Sequence, residues 1–145
     1  VKRIVAVDYG TRRTGVALAD PLGLFAQPFG TWSPGVAADR LAELHRREGI
    51  AVIVIGWPLM EDGTEGAATE RVEAYIRHLT RRLRGTTIVR WDERYTTEEA
   101  RDRLRGCLRR GQKKRVDMLA AGLILQEYLE ASETETPRHR KDAEQ

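Results

Sequence analysis

The chain has 145 residues, enough for one domain with a core of its own, and 25 Lys and Arg against 22 Asp and Glu leave a net charge of only +3. No apolar run reaches the ~18 residues of a membrane span, the chain opens on a strand rather than a signal-peptide pattern, and the lone Cys107 forms no internal disulfide. These features point to a cytoplasmic protein with no membrane partner, and the scattered His45, His78 and His139 lack the spacing of a zinc site.

Arg3 to Asp8 is a β-branched, apolar run, as expected of a buried strand. A Gly-containing basic turn follows, and Thr14 to Asp20 makes a second strand closed by the turn Asp20-Pro21-Leu22-Gly23. Leu24 to Trp32 reads as a third strand, with Pro28 marking an edge or bulge. Strands this close in sequence predict an antiparallel meander. Val36 to Glu48 has helical spacing and stops at Gly49. Ala51 to Ile55 is continuously apolar, as in a central strand covered on both faces. A loop rich in Gly and acids leads to an amphipathic helix marked by Ala68, Val72, Tyr75, Ile76, Leu79 and Leu83. Thr86 to Trp91 is a further short strand, and Thr96 to Glu99 is a capping box opening another helix. A basic linker, Arg109 to Arg115, precedes a last helix from about Val116 to Leu129. The expectation is an α/β fold with a mixed five-stranded sheet, three meandering strands and then two parallel ones, flanked by helices. Residues 1–130 form the single domain, and 131–145 read as a disordered polar tail.

Three acidic positions stand where a sheet-based site needs them. Asp8 ends the first strand, Asp92-Glu93 ends the last, and Asp117 opens the last helix. If the first and last strands are neighbours, Asp8 and Glu93 come close. Period-two alternation groups Glu93 with Trp91 and Val89 on the apolar side, and Asp92 with Arg90 and Ile88. Asp117 shares a helical stripe with Ala120, Ala121, Ile124 and Tyr128. There it is either a paired or metal-bound carboxylate or one that favours the helix N-terminus through the dipole. Asp8 likewise serves either a site or the start of a hairpin turn. Clustered carboxylates repel unless a hard cation joins them, and Mg²⁺ or Mn²⁺ suits oxygen ligands. Two such ions about 4 Å apart activate water and stabilise the leaving oxygen in phosphodiester cleavage.

Cations surround these acids. Between Arg101 and Arg115 lie Arg101, Arg103, Arg105, Arg109, Arg110, Lys113, Lys114 and Arg115, with Asp102 the one acid. Charge runs are usually solvated helix faces, but this one contains a Gly111 linker and runs straight into Asp117, which favours a nucleic-acid surface. Arg77, Arg81, Arg82 and Arg84 read as a solvated face. Trp57 reads as a cover for the sheet edge more than as a base-stacking platform. The Gly63-Thr-Glu-Gly66 loop before a helix is a weak phosphate-binding signal, without P-loop spacing or Lys.

Four segments in order resemble the YqgF/RuvX family: Asp8-Tyr-Gly10-Thr-Arg-Arg-Thr-Gly15-Val-Ala; Gly56-Trp-Pro58-Leu with Asp62-Gly63-Thr-Glu-Gly66; Asp92-Glu-Arg94-Tyr-Thr-Thr97; and Lys114-Arg-Val-Asp117 with Ala120-Ala121 and Ile124-Leu-Gln126. That family comprises Holliday junction resolvases and pre-16S ribosomal RNA nucleases of the RNase H-like superfamily. The resemblance implies an RNase H-like sheet of five strands with the third antiparallel at its side, and a metal-dependent endonuclease with Asp8, Glu93 and Asp117 as the metal-binding acids. Trp57 departs from the aliphatic residue commoner there.

The resulting expectation is a Mg²⁺- or Mn²⁺-dependent endonuclease on structured nucleic acid, with Arg12, Arg13, Arg94, Lys113, Lys114 and Arg115 positioning phosphates. Branched DNA and precursor ribosomal RNA both fit, as do a monomer and a homodimer. Two alternatives stand beside it. A non-catalytic nucleic-acid-binding module has to explain three acids that repel phosphate. An actin-like or sugar-kinase ATPase fragment, suggested by the Asp-x-Gly turn, lacks the second lobe that encloses a nucleotide.

Overall fold

The computed structural model describes residues 2–92, 113–133 and 140–143. Their elements, in chain order, are β1 (Arg3–Asp8), β2 (Thr14–Ala19), β3 (Ala26–Trp32), α1 (Pro34–Glu48), β4 (Ile50–Trp57), α2 (Ala67–Arg82), β5 (Thr87–Asp92), α3 (Lys113–Glu133) and β6 (Arg140–Ala143). The sheet order is β3-β2-β1-β4-β5-β6. β1, β2 and β3 form the expected antiparallel meander, β4 is parallel to β1, and β5 is parallel to β4. The continuously apolar β4 therefore lies in the middle of the sheet, where both its faces need cover. β3 is an edge strand, and its register shifts where Val16 and Ala17 face Gly30 and Pro28. A proline without an N–H is tolerated at such a position.

Alternation along the strands separates two layers. Val5, Val7, Ile53, Ile55 and Ile88 pack under α1 and α2 with Leu41, Leu44, Ile76 and Leu79. On the other face Ala6, Ala17, Val54, Val89 and Trp91 meet Ala121, Ile124, Leu125 and Tyr128 of α3. The α3 side is floored with alanines, so the helix backbone can settle close to the strands. α1 starts where Ser33 Oγ accepts the Val36 N–H and Pro34 occupies the first turn. It ends at Gly49, whose φ of 81° suits glycine.

α3 is tethered at both flanks. Gln126 Oε1 accepts the Ala26 N–H at 3.0 Å, and its Nε2 donates to the Leu24 carbonyl at 3.2 Å. Ala26 pairs with Ala19, one rung beyond the Val5–Leu18 pair, so this anchor sits at the end of the sheet where β1 begins. On the opposite flank Trp91 Nε1 donates to Glu127 Oε1 at 3.3 Å, and its ring meets Tyr128 edge-on.

Two expectations need correction, and one condition set on the site is not met. The sheet has a sixth strand, because Arg140–Ala143 of the tail expected to be disordered pairs antiparallel with β5. An open β5 edge presents unpaired backbone groups, and a short charged strand is a common way to close one. The last helix starts at Lys113, so Lys113, Lys114 and Arg115 are helical rather than linker. Lys and Arg are good helix formers, and nothing after Gly111 breaks the turn. The first and last of the five expected strands are not neighbours, because β4 lies between β1 and β5. The capping box at Thr96 to Glu99 and the basic run from Arg101 to Arg110 lie outside the described residues.

Replacing Gln126 by Ala strips the half-buried Ala26 N–H of its partner and should cost about 1–3 kcal/mol, measurable by urea denaturation. The Asp20 carboxylate accepts N–H bonds from Phe25 at 2.8 Å and Leu24 at 2.7 Å, and these bonds, Phe25's foremost, hold its pKa below the usual 3.8. The folded-state value is depressed, so its contribution should be full above pH 3.8 and lost as pH falls through the lowered value. The Leu24 and Phe25 amide resonances should titrate there, and titration at or above 3.8 would contradict the assignment.

Candidate active site

Asp8 is the last residue of β1. Val5, Val7 and Tyr9 point to the α1/α2 side, Tyr9 stacking on Tyr75 at 4.8 Å. Alternation therefore puts Asp8 with Ile4 and Ala6 on the face covered by α3. Its partner across the β1–β2 ladder is Gly15, which brings no side chain beside the half-buried carboxylate.

The turn beyond Asp8 is held by Thr14. Its hydroxyl accepts the Gly10 N–H at 3.4 Å and donates to the Gly10 carbonyl at 3.3 Å. A Cβ on Gly10 would overlap the Arg13 carbonyl oxygen, so only glycine closes the turn this tightly. Arg12 is exposed at its tip and Arg13 is half-buried.

β4 and β5 end at the same level, Trp57 pairing with Asp92. Arg90 bonds Glu73 of α2 and lies over the Trp57 ring, so Asp92, two residues on, belongs to the α1/α2 side with Arg90 and Ile88. Val89 and Trp91 are on the α3 side, the side of Asp8. Glu93 and Arg94 lie outside the described residues. Asp117 is in α3, one helical turn before the buried Ala121, with Lys113, Lys114 and Arg115 ahead of it as the first three residues of the helix. No acid occupies that first turn. Among the described residues no three His, Cys, Asp or Glu side chains gather as a metal site.

The opposite face holds a separate cavity of about 640 Å³, lined by Trp57, Glu65, Thr69, Glu70, Glu73, Arg77 and Arg90. Trp57 is only 5% exposed, its Nε1 donates to Glu65 at 3.3 Å, and Arg90 covers its ring. It is a core residue and not a platform for bases. The Gly63–Gly66 loop is an Asp62-capped turn, Thr64 N–H and hydroxyl both bonding the Asp62 carboxylate. The glutamates around the start of α2 oppose phosphate there. Of the expected solvated arginines, Arg82 is paired with Asp39 at 2.7 Å. Sequence reasoning missed the anchoring role of Gln126. It is an amide in an otherwise apolar stretch of helix, and that was the available signal.

A family model described as RuvX, Holliday junction resolvase, matches residues 2–131. A Salinibacter ruber protein named "Putative pre-16S rRNA nuclease" is 52% identical over 131 residues, covering 88% of this chain and 92% of its own. A Syntrophus aciditrophicus protein of the same name is 44% identical, with 97% of each chain covered. Among solved structures, T. thermophilus RuvC in complex with Holliday junction substrate is similar with a TM-score of 0.61, covering 99% of this chain and 100% of that one. At 12% identity that likeness is one of fold, and the fold is RNase H-like.

Gly10→Ala should force the turn open at a cost of about 1–3 kcal/mol. Thermal denaturation reads the loss, and an unchanged Tm would mean that the turn is not close-packed.

Proposed function

This chain belongs to the RuvX family, described as Holliday junction resolvases, and we propose that it is a divalent-metal-dependent endonuclease acting on structured nucleic acid. Membership makes it a nuclease; the acids, the ion and the substrate are the proposal. The observation that carries it is the position of Asp8 at the carboxyl end of β1, on the face that α3 covers.

Asp117 precedes Gln126 by nine residues, about 13.5 Å of helix rise. β1 runs a similar distance, about 13 Å, from Ile4 to Asp8. Gln126 is anchored beside β3 at the level where β1 begins, so the matched lengths support Asp117 standing near the level of Asp8 along the sheet. β5 contributes from one strand further away, roughly 10 Å from β1. Asp92 shares the α1/α2 side with Arg90, and the period-two grouping of Glu93 with Trp91 and Val89 in the sequence supports Glu93 over Asp92 as the third acid. The donor set is carboxylate oxygen throughout, which fits Mg²⁺ or Mn²⁺ and not a soft metal. When bound, the cation supplies Lewis-acid polarisation of the phosphodiester and a way to activate water at neutral pH.

The chain's own residues do the rest. Asp8, Glu93 and Asp117 hold the ion and exclude a phosphate from resting in its place. Arg12, Arg13, Arg94, Lys113, Lys114 and Arg115 bind the polyanion and align one bond with the acids. The relatives named as pre-16S rRNA nucleases favour a structured RNA precursor, and the family description favours a DNA junction.

Both substrates, labelled, should be incubated with Mn²⁺, Mg²⁺ or chelator. Asp8→Asn and Glu93→Gln should each lose at least about 100-fold in cleavage while binding persists, whereas Asp92→Asn should retain activity. Paired symmetric nicks identify a junction resolvase, and cleavage of RNA alone identifies a processing nuclease. Full activity of Asp8→Asn, or cleavage in chelator, would sink the mechanism.

A further inference from the structure

Beside the turn that carries Arg12 and Arg13 lies a second depression, about 420 Å³, lined by Arg12, Arg13, Thr31, Trp32, Ser33 and Val36. None of the six is acidic, in contrast to the glutamate-walled cavity over α2. Arg40 of α1 adds a third cation, its guanidinium 5.6 Å from the centre of the Trp32 ring. The first acid of α1, Asp39, is already held by Arg82.

The indole is fixed in place. Its six-membered ring lies back over Gly30, where a Cβ would overlap it, and Phe29 meets it edge-on with centroids 5.6 Å apart. Trp32 nevertheless keeps part of its surface exposed. Gly30 and Arg40 occupy the two sides of the ring, so what the half-exposed Trp32 offers is its open edge together with the outer face of the Arg40 guanidinium as a stacking surface for a base, and the two arginines on the same wall offer cations for a phosphate.

The pocket lies at the end of the sheet where β1 ends in Asp8, with Trp32 on the opposite face. Asp8 pairs with Gly15 and Gly15 with Thr31, so Thr31 stands on the rung of Asp8, two strands and on the order of 10 Å away. Trp32 follows, pairing with Thr14 and packing on the α1/α2 side. That offset suits a nucleotide flanking the cut, not the one being cut.

We propose that this pocket binds an unpaired nucleotide of the substrate strand, its phosphate at Arg12 and Arg13 and its base against the Trp32–Arg40 pair. The assignment rests on the nuclease reading above but can fail separately from it. It makes Trp32 and Arg40 substrate-binding residues that select strands able to present an unstacked base beside the cleavage point.

Tryptophan fluorescence reads it directly. Of the three tryptophans, Trp57 and Trp91 are 5% and 1% exposed, so Trp32 is the one able to report contact with a base. The Asp8→Asn protein, in chelator, should be titrated with oligothymidylate and with oligouridylate, and binding followed in parallel by anisotropy of labelled strands. Saturable quenching by either supports the pocket, and the tighter one identifies the preferred sugar. In that background Trp32→Phe should lose the quenching while keeping most of the affinity. Trp32→Ala should weaken binding about tenfold or more, and Arg40→Gln should weaken it with the fold intact by circular dichroism. In the parent background Trp32→Ala should raise KM more than it lowers kcat. Binding without quenching, or Trp32→Ala binding as tightly as its parent, would overturn the pocket while cleavage by the parent leaves the nuclease reading standing. A parent protein that neither binds nor cuts overturns both.

Discussion

The parity of β1 governs the arrangement. Successive residues of a strand face opposite sides, so Val5 and Val7 commit one face to α1 and α2, and Ala6 commits the other to α3. Asp8 inherits the face of Ala6, and Tyr9 that of Val7. A slip of one residue would bury the carboxylate against Tyr75 and turn the valines towards a helix with no room for them. The register is held by β2 on one side and by the central β4 on the other. The turn at Gly10 then delivers two arginines within a few residues of the acid. One local rule thus sets the core, the site and its cationic border together.

Much of this was legible in the residues themselves. The β-branched run to Asp8, the unbroken apolar β4 and the amphipathic α2 each follow from period and length, and their boundaries fell within two residues of those observed. Pro28 marked an edge with an irregular register, and β3 has both. What the pattern did not carry was long-range. Nothing in β1 or β5 alone says that β4 will stand between them, because neighbour choice depends on how the crossing helices pack. Nor did the charged tail announce a strand: Arg140–Ala143 has no apolar alternation, and only the open edge of β5 gives it a reason to pair.

The site divides in the same way. Acids at strand ends are visible in sequence, and alternation already separated Asp92 from Glu93. The partners of Arg90 on the α2 side place Asp92 there, and Glu93 lies outside the described residues. Trp57 and the Gly63–Gly66 loop looked open to ligand roles because a lone aromatic or a glycine pair carries no information about burial. The ring's cover by Arg90 and the glutamates around α2 remove those roles. Trp32 went the other way. Its significance comes from Gly30 beneath it and Arg40 over it, a juxtaposition across a strand and a helix that spacing alone does not express.

The alanine floor under α3 has a consequence for how tolerant the molecule can be. Ala6, Ala17 and Ala121 touch no substrate, yet their smallness sets the standoff between a strand that ends in one acid and a helix that carries another. They act as shims. A single added methylene there cannot be absorbed by a close-packed interior, so it lifts the helix and changes its distance from the strand. Displacements of about 1 Å at reacting groups can cost on the order of 100-fold in rate. Fully buried methyl groups therefore act as gauge blocks, and under the proposed mechanism a substitution that barely dents stability at these positions should still silence cleavage.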